Sequence, residues 1–68
     1  MMNENHNHQQ IINYLNDGEK STSDIASHIN RNYYDAMKIL ENMLLLEIII
    51  KIEVRNFTFW KLKNGENR

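Results

Sequence analysis

Four cations, Lys51, Arg55, Lys61 and Lys63, fall within residues 47–63 against two carboxylates, Glu47 and Glu53. This is the one stretch of the 68-residue chain with a positive balance. The chemistry open to it is contact with phosphate oxygens. Residues 1–20 carry one basic and three acidic groups, residues 21–46 carry two and three, and the whole chain has a net charge of −1. That balance argues against strong non-specific binding of nucleic acid, because phosphate neutralisation supplies most of such affinity. His6 and His8 form an H-x-H pair and His28 follows Asp24 by one turn. With no cysteine and no fourth ligand nearby, they do not make a zinc site, and no metal or other cofactor is expected. The chain has no glycine-rich phosphate loop, no paired carboxylates in an apolar setting and no activated nucleophile. It is read as a non-enzyme with no identifiable small-molecule ligand.

The elements that must position these groups follow one another with almost no linker from Ser21 to Leu62. Residues 1–7 lack periodicity after the two methionines and are expected to be disordered. His8 to Asn16 reads as a first helix with Ile11, Ile12 and Leu15 on one side, ended by Asp17-Gly18. A second helix starts at the Ser/Thr cluster, with Thr22 or Ser23 as its cap and Ile25, Ala26 and Ile29 as its buried side. Asn30 then takes a left-handed turn position. Asn32, three residues before Asp35, caps a third helix whose apolar stripe is Ala36, Leu40 and Met43, flanked by Ile39 and Leu46.

After Leu46 the period changes to 2. Ile48, Ile50, Ile52 and Val54 alternate with Ile49, Lys51, Glu53 and Arg55, as in a strand with one buried face. Arg55-Asn56 is the expected hairpin turn. Phe57 to Lys63 returns with Thr58, Trp60 and Leu62 opposite Phe57, Phe59 and Lys61, and Trp60 is assigned to the core or an interface. Residues 8–63 are thus one domain, followed by a frayed tail, 64–68. The longest apolar run, Met43 to Ile50, is broken by Glu47 and is far shorter than the roughly 18 residues of a membrane span. A polar N-terminus without a signal-peptide pattern adds to the expectation of a cytoplasmic protein. Abundant Asn, Ile and Lys fit an AT-rich genome such as that of an archaeon or a virus.

At this point the chain resembles the winged helix-turn-helix superfamily of small regulators. Ile25-Ala26-Ser27-His28-Ile29-Asn30-Arg31-Asn32 looks like the family pattern I-A-x-x-L-G-(apolar)-S, with Asn30 at the turn glycine and Asn32 at the capping serine. Two positions depart from it. Arg31 replaces a small apolar residue, and Glu47 replaces the glycine that commonly ends the recognition helix. The resemblance implies an α+β fold of three helices followed by a two-stranded β-hairpin wing, with a very short strand near Lys20-Ser21. It also implies a sequence-specific transcriptional regulator of double-stranded DNA, its third helix in the major groove. Carried over, the DNA-contacting residues are Arg31, Asn32, Tyr33, Tyr34 and Lys38 on the motif, and Lys51, Arg55 and Asn56 on the wing.

A core this small cannot bury Leu44, Leu45, Leu46, Ile49, Phe57 and Phe59 together. Without a staple it gives only about 3–5 kcal/mol. A large exposed apolar patch marks an interaction surface. A homodimer is therefore expected, with Leu44, Leu45, Ile49, Phe57 and Phe59 as interface candidates. The same apolar excess and low charge leave a second reading open, in which the domain is a protein–protein interaction module in a larger assembly.

Overall fold

The computed structural model describes residues 4–63, with side chains from His6 onward. The expected frayed tail at 64–68 lies outside the described residues. Six elements follow in order: α1 (Glu4–Leu15), β1 (Lys20–Ser21), α2 (Thr22–His28), α3 (Tyr33–Leu45), β2 (Ile49–Val54) and β3 (Phe57–Leu62). The α+β class and the helix–helix–helix–hairpin order are those expected from the sequence.

Helix α1 starts four residues earlier than its apolar pattern indicates. Its buried stripe is Asn7, Ile11 and Leu15, one residue per turn, and the first of these is polar. Asn7 is satisfied locally and at long range. Its Nδ2 donates to Gln10 Oε1 at 3.2 Å, and its Oδ1 accepts from the Arg31 guanidinium at 3.2 Å. Helix α1 thus begins within the stretch expected to be disordered, and Asn7 packs into the fold.

Helix α2 is capped by Ser21, one residue before the expected cap, whose Oγ accepts from the Asp24 N–H at 3.1 Å. Thr22 is instead buried, where its hydroxyl accepts from Trp60 Nε1 at 2.8 Å and donates to the Thr58 carbonyl at 3.4 Å. Both helices of the motif end alike. Asn30 N–H donates to Ser27 and Arg31 N–H to Ala26 after α2; Glu47 N–H donates to Leu44 and Ile48 N–H to Met43 after α3. These paired bonds are the Schellman closure, which needs a left-handed residue in the middle. Asn30 (φ 60°) and Glu47 (φ 63°) supply it. The helix thus does not run on through Glu47: it stops there, at the strain of a side-chain-bearing residue in a conformation that glycine prefers.

The core gathers Ile11 and Leu15 of α1, Ile25, Ala26 and Ile29 of α2, Ala36, Leu40 and Met43 of α3, Ile49 and Trp60. Burial of each large aliphatic among them stabilises by about 1.5–3 kcal/mol. The sheet closes the remaining side. Its order is β1-β3-β2, antiparallel throughout, with Lys20 opposite Trp60, Ser21 opposite Phe59, Ile49 opposite Leu62 and Lys51 opposite Trp60.

Directly opposed residues share a face, so Ile49, Lys51, Glu53, Thr58, Trp60 and Leu62 point inward. Ile50, Ile52, Val54, Phe57, Phe59 and Lys61 point outward. The more apolar set of β2 thus lies on the outer face, against the alternation read from sequence. The helices cover only the base of the hairpin, so one deeply seated residue, Ile49, fixes which face turns in. At 1% exposure Ile49 is a core residue and cannot serve as an interface side chain.

Candidate nucleic-acid interface

The first turn of α3 presents Tyr33 and Tyr34 to solvent, Tyr34 at 69% exposure. Their position follows from the cap: Asn32 Oδ1 accepts from the Asp35 N–H at 2.7 Å, which starts the helix at Tyr33 and leaves the next two side chains outside the core. Asn32 was expected to read a base. Its carbonyl oxygen is instead committed to the helix, so the bidentate pattern that Asn offers to adenine is not available to it.

Lys38 lies one turn beyond Tyr34, its Nζ 5.5 Å from the Tyr34 ring centroid. Tyr34, Met37, Lys38, Glu41, Asn42 and Leu45 form the outward stripe of α3 around a shallow hollow of about 340 Å3. This stripe is amphipathic. Lys38 and Glu41 oppose each other in sign, and Leu45 at its end is 82% exposed.

Arg31 occupies the turn between α2 and α3. It is half-buried against Asn7 of α1, so it braces the motif on α1. Where the resembled sequence pattern has a small apolar residue, this chain has an arginine whose buried partner, Asn7, stands in a stretch without any apolar pattern. That pairing spans 24 residues and has no local signature.

The wing separates the four basic residues of the C-terminal segment. Arg55 and Asn56 form the exposed turn, as expected, with a positive φ (58°) at Arg55 alone of the two. That is the pattern of a type II′ turn, whose first central position favours glycine. Lys51 does not lie at the tip. It sits on the inner face, donating to Glu41 Oε2 at 3.2 Å, with Glu53 Oε2 at 3.7 Å and the Trp60 ring centroid at 5.7 Å. The hydrogen bond to Glu41 is the main cause raising Lys51 above the ordinary lysine pKa, against an opposing effect of partial burial. Lys63 pairs with Glu47 at 3.1 Å across the base of the hairpin. Two of the segment's four cations are thus held by carboxylates, and Arg55 and Lys61 remain as exposed charges of the outer surface.

The motif and the wing meet. A cleft of about 300 Å3 is lined by Ser21, Thr22, Ser23, Tyr33, Asn56, Phe57 and Thr58. Tyr33 at the start of α3 and Asn56 at the wing turn therefore border one opening. Away from it, His28 stacks on Tyr14 with ring centroids 3.9 Å apart and planes within 5°, and Lys20 lies 4.8 Å over the same tyrosine ring. Among the described residues no cluster of three or more His, Cys, Asp or Glu could hold a metal ion. No described helix is long and apolar enough to cross a membrane.

No family model matches the chain, and no curated protein matches it in sequence. Among solved structures, a variant of Lactococcus lactis ZitR in apo form is similar, with a TM-score of 0.75 and 18% identity. The match covers 87% of this chain and 47% of that one, so the chain spans about half the length of its neighbour. At that identity the likeness is one of fold. One helix, a two-residue strand, two further helices and a hairpin, in that order and superposable on this neighbour, give the chain a winged helix-turn-helix fold.

Proposed function

We propose that this protein is a sequence-specific DNA-binding transcriptional regulator that acts as a homodimer. Helix α3 enters the major groove and the wing turn lies on the phosphate backbone. The observation that carries this reading is the shared cleft of Tyr33 and Asn56, which sets the solvent-facing start of α3 beside the wing turn. Tyr33, Tyr34 and Lys38 are the candidates for base and phosphate contact, and Arg55 and Asn56 for backbone contact. Arg31 and Asn32 position the helix, and Lys51 positions the sheet. Leu45 and Phe57, both strongly exposed, remain candidates for a surface covered by a second copy, with half-buried Leu44 and Phe59 at its border.

The experiment is DNA binding followed against salt concentration, on mixed and native upstream DNA. Affinity falls as salt rises, and Lys38→Ala and Arg55→Ala, each removing one phosphate contact per copy, each reduce the slope of log affinity against log salt by about two for the dimer. Absence of binding at low salt excludes the regulator.

One observation favours a second reading, a winged helix used as a protein-interaction module. Lys51 and Lys63 are engaged by Glu41 and Glu47, which leaves the surface close to neutral while large apolar side chains stay exposed. A module of that kind shows no salt-dependent DNA binding.

A further inference from the structure

In the order β1-β3-β2, strand β2 is an edge, with no strand on its far side among the described residues. It is six residues long, rich in isoleucine and free of proline. Such an edge offers its backbone N–H and C=O groups to any passing strand. An inward-pointing charge is a common defence, and Lys51 is one: an incoming strand would set an apolar side chain opposite the ammonium. One strand removes that conflict, namely β2 of a second copy.

Laid antiparallel with Ile52 opposite its own copy, β2 sets Lys51 opposite Glu53 of the second copy, and Glu53 opposite Lys51 of the second copy. On the outer face the same register sets Ile50 opposite Val54, and Ile52 opposite Ile52. Sliding by two residues in either direction brings Lys51 against Lys51 or Glu53 against Glu53. Sliding by one sets both charged residues, Lys51 and Glu53, against apolar ones. The sequence Ile50-Lys51-Ile52-Glu53-Val54 is thus self-complementary in charge and in hydropathy about its central residue.

We infer that two copies of this chain join edge to edge through β2, about a twofold axis passing by Ile52, to form one six-stranded sheet. The inference rests on the dimer reading above and moves its contact from the exposed Leu45 and Phe57 to the edge of β2. Each copy offers the same patch to the other, as a twofold interface requires. Lys51 and Glu53 already lie within 3.7 Å of each other in one copy, so the pairing alternates four charges across the axis. The outward Ile50, Ile52, Val54, Phe57 and Phe59 then form one apolar surface running through both copies.

The natural chain has no cysteine, so a single introduced thiol reports the register without background. Under mild oxidation Ile52→Cys gives a disulfide-linked dimer in high yield, because it faces itself. Ile50→Cys, which faces Val54, gives little. In sedimentation at micromolar concentration, Glu53→Lys and Lys51→Glu each weaken the dimer by about tenfold or more. Mixing the two variants restores it, because each unlike pair is regained. Circular dichroism of each variant confirms that its helices are intact. A wild-type monomer overturns both this inference and the dimer reading. A wild-type dimer that persists in Glu53→Lys, or that crosslinks equally through Ile50→Cys and Ile52→Cys, overturns the β2 pairing and leaves the dimer standing.

Discussion

The indole N–H of Trp60 donates to the Thr22 hydroxyl at 2.8 Å, joining two fully buried residues that lie 38 positions apart in the chain. The bond ties the first residue of α2 to the middle of β3. The largest core side chain thereby gains a partner for its single polar atom, which would otherwise be costly to bury.

Replacing Thr22 by Val keeps the volume and removes the acceptor. Thr22→Val is expected to destabilise the fold by about 1–3 kcal/mol, the cost of a buried donor left unsatisfied. Thr22→Ser retains the hydroxyl and loses one methyl, at a cost of about 1 kcal/mol. Urea denaturation followed by tryptophan fluorescence distinguishes them. Equal losses for Val and Ser would show that packing, and not the hydrogen bond, is what Thr22 provides.

Glu47 closes α3 in the left-handed conformation at φ 63°. Glu47→Gly relieves about 1–2 kcal/mol of steric cost. It gives back about 0.5–1 kcal/mol of backbone entropy and part of a weak exposed ion pair with Lys63. The expected balance is a small net gain, visible as a higher melting temperature. Glu47→Ala keeps the strain and loses the ion pair, so it melts lower than wild type. A Gly variant no more stable than the Ala variant would refute the strain.

Arg55 combines a strained turn position with a proposed phosphate contact. Arg55→Gly is expected to raise the melting temperature while lowering the salt slope of DNA binding by about two, one contact from each copy of the dimer. Arg55→Ala lowers the slope equally and gains no stability. Thermal melts and salt titrations on the same samples check both arms, and an unchanged slope in both variants would remove the wing turn from the DNA interface.

The Glu41 hydrogen bond raises the pKa of Lys51, so the folded state holds that proton more tightly than the unfolded chain. Its stabilisation is present in full below the unfolded value of 10.5 and is lost as pH rises through the higher folded value. Because both side chains are partly exposed, the effect is modest, at most about 1 kcal/mol. The difference in stability between wild type and Lys51→Met should therefore shrink between neutral pH and strongly alkaline pH. A difference that stays constant over that range would contradict the linkage.

Much of the fold is legible in the sequence because its signals are local. The stripe Ala36-Leu40-Met43, the Asn32 cap and the Asn30 turn are each set within a few residues. The inward Thr58-Trp60-Leu62 set also follows from simple alternation. What escapes is non-local. Asn7 reads as part of a polar leader because its partner, Arg31, is 24 residues away. Lys51 reads as a wing charge because Glu41, which holds it, lies on another element. The inner face of β2 could not be read from six residues of which four are apolar and the two charged ones share the face of Ile49. Ile49 decides it by meeting α3. Asn32 shows a different conflict: one side chain was assigned both a cap and a base contact, and the cap takes the oxygen that the contact needs.

Among the described residues the two-residue strand β1 pairs with β3 alone, and Thr22, which follows it, finds two side-chain hydrogen-bond partners on that strand. The helix-turn-helix is therefore completed from its C-terminal side. A nascent chain that has emerged only as far as the wing turn still lacks Trp60, strand β3 and the groups that satisfy Thr22. The domain can therefore close in full only once β3 has been made, which places the completion of its core late in synthesis.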